Sequence, residues 1–309
     1  MMSIFFKTLI LFFLKFKIRT ANHLKILLGS ILISKSKNFY ERYTLLEDAE
    51  IKIFSQNGED GILNYLITKL EIKKPNFIEI GVGDYSECNT RFLYESYYSS
   101  GLIIDCIDDF SQKVRNNVNL WKGDLRVIKK FVNSKNIREV ILANCDFTVD
   151  LISIDIDGID YWVLKNFPPI NSKIFVIEYN ALFGSNLEIT VPNIDNFSRE
   201  RYHNSFLCYG ASLNAYINLM NEKGYYFLGV NRLRNNAFFI SKIYSKQIYF
   251  PKIDNSINPE LTNALFRESR SKNGLLNYFS PSKRLNEILD CEVIDISKGY
   301  SVKKIKEII

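Results

Sequence analysis

The sequence predicts a doubly wound α/β fold, a mostly parallel sheet covered by helices on both faces. Three observations carry this expectation. From residue 54 onward, short apolar runs alternate with segments of helical periodicity, the pattern of successive βαβ units. The first apolar run ends in Gly81-Val-Gly83, and the next ends in an acidic residue, Asp105. The last two apolar runs are joined by a short Asn/Arg-rich turn, which suits a terminal strand pair.

Taken in order, the segment after Asn57 and Asp60 starts a helix that puts Ile62, Leu63, Leu66, Ile67 and Leu70 on one face, and Pro75 stops it. Residues 77–80 form a first buried strand, 102–105 a second, 126–132 a third, 150–155 a fourth and 173–178 a fifth. A helix over 211–222 ends at Lys223-Gly224, and strands follow over 225–230 and 236–240. No internal repeat is visible. The expected organisation is an N-terminal basic amphipathic segment (1–45), a catalytic domain (46–245) and a motif-poor C-terminal appendage (246–309).

The composition, 47% hydrophobic and 24% charged with few prolines, excludes disordered, collagen-like and coiled-coil classes. The formal charge of +6 belongs to one end of the chain. Residues 1–40 hold seven basic residues (Lys7, Lys15, Lys17, Arg19, Lys25, Lys35, Lys37) and no acidic one. Taking those seven from 40 Lys and Arg leaves 33 against 34 Asp and Glu, so the body is no basic nucleic-acid binder. Five scattered cysteines and two histidines argue against a zinc site and for reduced thiols in a cytoplasm.

At the N-terminus, Ile4 to Ile18 is apolar but broken by Lys7, Lys15 and Lys17, too short a run for a spanning helix, and no clean cleavage site follows. Lys7, Lys15 and Arg19 share one arc of a helical wheel, which suits a helix lying on the inner face of an anionic membrane. The alternative is a helix packed on the body, or on a partner subunit of a homo-oligomer.

Chemistry concentrates at the expected strand ends. Glu79-x-Gly81-x-Gly83 leaves the first strand, where glycines let backbone approach a ligand closely. Asp105 ends the next, where a carboxylate accepts hydrogen bonds from ribose hydroxyls. Asp84-Tyr85-Ser86 replaces the further Gly of a dinucleotide cradle, which favours a nucleoside cofactor without a pyrophosphate. Asp155-Ile-Asp157-Gly158 leaves the fourth strand, and Glu178 and Asn180 end the fifth. Carboxylates there can bind Mg²⁺ or Mn²⁺, or serve as capping and solvated loop acids. His203 is the one histidine of the body, and its ordinary pKa suits a base.

With these residues placed, the sequence resembles a branch of the FkbM-like, S-adenosylmethionine (SAM)-dependent methyltransferases of bacterial cell-surface polysaccharide clusters. The matching stretches are residues 54–61 (Phe-Ser-Gln-Asn-Gly-Glu-Asp-Gly), 77–84, 152–158, 176–180, 209–213, 223–225, 236–239 and 266–270. Ile159 stands where that branch has Asn. The resemblance implies a class I methyltransferase (Rossmann-like) sheet and methyl transfer from SAM to a hydroxyl of a sugar or sugar nucleotide. It implies that Gln56 and Glu59 approach the amino-acid end of the cofactor, that Glu79, Gly81 and Gly83 line its pocket, and that Asp105 holds the ribose. The catalytic expectation is Asp155, Asp157, Glu178, Asn180 and His203, with Asp155, Asp157 and Glu178 as metal ligands. Two other readings compete: a glycosyltransferase holding a nucleotide-sugar through Asp155-x-Asp157 and Mn²⁺, and a noncatalytic membrane-associated scaffold.

Overall fold

The structure, a computed structural model, describes residues 4–184, 186–248 and 268–309, with side chains from residue 20 onward. The elements follow the predicted alternation: α1 (Ile4–Ser36), α2 (Glu59–Lys69), β1 (Phe77–Ile80), α3 (Arg91–Tyr97), β2 (Gly101–Asp105), α4 (Phe110–Asn117), β3 (Leu125–Lys129), α5 (Ile137–Asn144), β4 (Leu151–Ile154), α6 (Asp160–Asn166) and β5 (Ile174–Glu178). Then come β6 (Ile189–Thr190), α7 (Arg199–Tyr202), α8 (Leu213–Glu222), β7 (Tyr225–Val230) and β8 (Asn236–Ser241). Past the undescribed stretch lie β9 (Ser269–Arg270), β10 (Leu276–Asn277), α9 (Pro281–Glu287), β11 (Glu292–Asp295) and β12 (Ser301–Lys304).

Seven strands form the central sheet in the order β3-β2-β1-β4-β5-β8-β7. The first five are parallel, and β8 inserts antiparallel between β5 and β7. This is a doubly wound, Rossmann-like α/β sheet. Because side chains alternate along a strand, the sheet feeds two cores. Ile78, Ile80, Leu102, Ile104, Ile152 and Ile154 pack with α5, α6 and α8 on one face. Phe77, Ile103, Leu151, Ile174 and Val176 pack with α2, α3 and α4 on the other. Ile159, the departure from the resembled branch, is 1% exposed in the first of these cores.

One expectation shifts. The third strand ends at Lys129, not at residue 132, because its last rung is the bond from the Lys130 amide to the Asp105 carbonyl. Past that rung the edge strand has no partner, and residues 130–132 turn into the wall of the cleft described below. The C-terminal part is joined to the body by strand pairing. Its β11 pairs with both β12 and β6, so a second sheet of order β12-β11-β6 ties it to the body. Of the resembling stretch 266–270, residues 266 and 267 lie outside the described residues.

The inner face of α1 packs on the body. Gly29 lies so close to Ile53 that a Cβ there would sit 2.7 Å from its Cδ1. Ile33, Ile53, Phe54 and Phe92 form a small core, with Ile26 against it. The basic arc of Lys7, Lys15 and Arg19 lies outside the described side chains. Among the described residues no helix is long and apolar enough to cross a membrane.

Candidate active site

The carboxyl ends of β1, β2, β4 and β5 open onto a single cleft of about 770 Å³, the position where open α/β sheets bind ligands. Its floor follows from the strand register. Ile80 pairs with Ile154, so Gly81 and Asp155 are the next residues abreast. A Cβ on Gly81 would lie 1.6 Å from the Asp155 carbonyl oxygen, and the backbone there has φ +83°. Gly81 is therefore required for the close approach of β1 and β4. Gly83, with φ +55°, has nothing within 4 Å of an added Cβ, because that side faces the open cleft.

The two glycines should separate experimentally. Gly81→Ala is expected to prevent folding, since backbone must move to admit the methyl. Gly83→Ala should cost about 1–2 kcal/mol, the strain of a side chain in the left-handed region. It should leave a folded protein whose cleft is narrowed. Thermal melts of the two variants check this, and equal melting temperatures would contradict it.

Asp105 is held in a fixed orientation at the end of β2. Its Oδ2 accepts the Gly83 amide at 2.7 Å and its Oδ1 accepts the Ile107 amide at 3.0 Å. An ionised carboxylate has about four acceptor sites, so each oxygen keeps capacity for a ligand hydroxyl. Gln56 and Asn57 line the same cleft from the segment before α2, and Lys130, Phe131 and Val132 from the chain after β3.

Across the cleft Asp155, Asp157 and Glu178 converge, each offering a carboxylate oxygen within 4.8 Å of the others. Ile154 pairs with Ile177, which sets Asp155 beside Glu178. The turn after β4 places Asp157. There the Ile156 and Gly158 amides both donate to the buried carboxylate of Asp160, and Asp157 takes φ +52°. Burial pushes the Asp160 carboxyl up to about 6. Desolvation, and then the neighbouring Glu178, Asp157 and Asp160, hold the Asp155 carboxyl well above the usual carboxylate range.

Other expected site residues are used elsewhere. Glu79, 3% exposed, does not line the cleft; it accepts the Asn89 and Thr90 amides and the Thr90 hydroxyl, fixing the loop between β1 and α3. Burial pushes it up to about 7 despite those bonds. Glu59 is fully buried beneath the Gln56–Asn57 lip, where Asn231 and Asn236 donate to it. Asn180 caps the turn after β5, accepting from Leu182 and donating to the Leu207 and Tyr209 carbonyls. His203 stands outside the cleft lining, its Nδ1 engaged by Ser205, and burial lowers its pKa.

The sequence reading missed Arg199. Its Nη1 donates to Asp157 Oδ1 at 2.7 Å, and Nη2 lies 3.8 Å from Glu268 Oε2. Glu268, from the C-terminal part, lines the cleft too. Two arginines stand in that segment of sequence, Arg199 and Arg201, but only Arg199 faces the acids, while Arg201 donates to the Asn196 carbonyl.

No protein-family model matches this chain, and no curated protein matches it. Similar solved structures include the pyocyanin biosynthetic protein PhzM, at 13% identity and a TM-score of 0.35 over 57% of this chain and 53% of that one. The N-terminal domain of EvdMO1, solved in the presence of S-adenosylhomocysteine (SAH) and D-fucose, is 11% identical with a TM-score of 0.39, over 60% of this chain and 81% of that one. An O-methyltransferase family protein from Burkholderia thailandensis is 10% identical with a TM-score of 0.35, over 59% and 57%. This chain thus spans little more than half the length of the first and third.

Proposed function

We propose that this protein is a SAM-dependent methyltransferase that transfers a methyl group to a hydroxyl of a sugar or sugar-nucleotide acceptor. The observation that carries the reading is the pairing, in one cleft, of a fixed Asp105 beside open backbone at Gly83 with a cluster of acids across from it. The residues present fit a nucleoside cofactor. Asp105 suits two vicinal hydroxyls, Phe131 and Val132 supply apolar surface for a base, and Gln56 and Asn57 supply polar groups for an amino-acid end. Bound SAM supplies a methyl group on a sulfonium.

This chain's own part is to bind the acceptor, aim its oxygen, and remove its proton as the O–H bond gives way to an O–CH₃ bond. Asp155 is the group for that proton: it lines the cleft within the acid cluster, and its raised proton affinity makes its ionised form the stronger base. Asp157 and Arg199 would orient the acceptor, and Glu178 would hold Asp155 in place.

A second reading adds a divalent cation, favoured by the three carboxylates of Asp155, Asp157 and Glu178. Mg²⁺ or Mn²⁺ held there would make an acceptor hydroxyl more acidic. Against full coordination, Asp157 already has a cation in Arg199.

Ligand-dependent thermal stability tests the function. SAH should raise the melting temperature, by about 2.7 kcal/mol of stabilisation at 100 times its Kd. Stabilisation instead by UDP or GDP with Mn²⁺ would favour a glycosyltransferase, and a response to neither a scaffold. Loss of turnover with EDTA, restored by Mg²⁺ or Mn²⁺, would establish the metal reading.

A further inference from the structure

We propose that the outward face of α1 is a docking surface for an anionic lipid bilayer. The helix has two faces of different use. Asn22, Ile26, Gly29 and Ile33 recur at helical spacing and are turned to the body. At 100° per residue, the opposite side carries Leu24, Leu27, Leu28, Ile31 and Leu32. These five side chains are 55%, 59%, 51%, 44% and 49% exposed, and together they make an i, i+3, i+4, i+7, i+8 stripe. A solvent-facing helix side in a globular protein is ordinarily polar. Here the polar side chains among the described residues of α1 do not break the stripe.

Charge decides what covers it. The first 40 residues carry seven basic residues and no acidic one. A second copy of this chain docked through the same stripe would bring two such segments together, like charge against like charge. An anionic bilayer meets the same segment with opposite charge while taking up the apolar stripe. Lys35 and Lys37 are exposed at the end of the stripe, placed for lipid headgroups.

The docked helix also bears on the cleft. Its inner face grips Ile53 and Phe54, and Phe54 lies under the Arg91 guanidinium at 4.1 Å and near Lys25 at 5.5 Å. Gln56 and Asn57, two and three residues on, form the cleft lip. A bilayer-bound α1 therefore holds the cleft at a fixed place relative to the membrane surface. The proposal stands apart from the chemistry of the cleft.

Vesicle flotation of the full-length protein tests it, with phosphatidylcholine alone and with roughly 30 mol% phosphatidylglycerol added. The protein should float with the anionic vesicles, stay behind with the neutral ones, and release in high salt. Leu28→Gln with Ile31→Gln, both at exposed positions, should weaken partitioning at least about tenfold with an unchanged melting temperature. Lys35→Glu with Lys37→Glu, which leaves the stripe intact, should weaken it as well. Binding equal for neutral and anionic vesicles, no binding, or full binding by the glutamine variant would overturn the proposal. So would a dimer that the glutamine variant dissociates, which would assign the stripe to a second copy.

Discussion

Asp155→Asn is expected to lower methyl transfer about 10²–10⁴-fold, the usual worth of a positioned base, while SAH still binds. The substitution keeps size and removes only the proton acceptor. The same change should stabilise the fold at neutral pH, and the sign follows from the environment. A carboxyl raised above its unfolded value holds its proton more tightly in the native state. The native protein then loses stability as pH rises above the ordinary carboxylate range toward the raised folded value. Asparagine cannot ionise, so its melting temperature should exceed that of the parent at pH 7.5 in EDTA by more than it does at pH 4. Asp157→Asn tests the neighbouring role. Asn tolerates a φ of +52° well, so the turn should survive while Arg199 loses the nearer of its two acidic partners. Normal turnover in both variants would remove the acid cluster as the reaction centre.

The second large effect is expected at Asp105. Asp105→Ala should weaken SAH binding by roughly 3 kcal/mol or more, about a hundredfold, as two hydrogen bonds to a charged acceptor are lost. Part of the loss comes from the protein itself, since the Gly83 and Ile107 amides also lose their acceptor. Asp105→Asn separates the two contributions. It keeps one oxygen to organise the loop but is neutral and carries an amide that donates, so affinity should fall while the melting temperature changes little. Calorimetry reads both variants, and unchanged SAH affinity in Asp105→Ala would withdraw the ribose role.

Arg199 and Glu268 show where local reasoning stops. Arg199 comes from a segment without a recognisable motif and Glu268 from a resembling stretch that carries no sign of where it points, and their meeting with Asp157 depends on how α7 and the C-terminal part sit over the sheet. Glu59 makes the same point in reverse. An acid next to the Gln56–Asn57 lip reads as a ligand contact, yet its partners Asn231 and Asn236 come from 172 and 177 residues further along the chain. Glu79, Asn180 and His203 are likewise drawn to nearby loops by buried or turning backbone that needs partners.

By itself the sequence determined the parallel strands, the order of their loops, and the acids at their ends. These are local properties: apolar runs set the strands, and parallel register brings consecutive strand ends to one crevice, which is why Gly81, Asp155 and Glu178 came out as neighbours. Tertiary structure alone decided which polar side chains face that crevice and which are spent inside. A loop side chain has no periodicity to fix its direction. It points to whichever partner is nearest in space, and the burial of an unpaired polar group costs enough to enforce that choice. The same holds for α1, whose apolar residues lie on more than one side of the helix. Only its seating on Ile53 and Phe54 divided it into a face held by the body and a stripe left exposed.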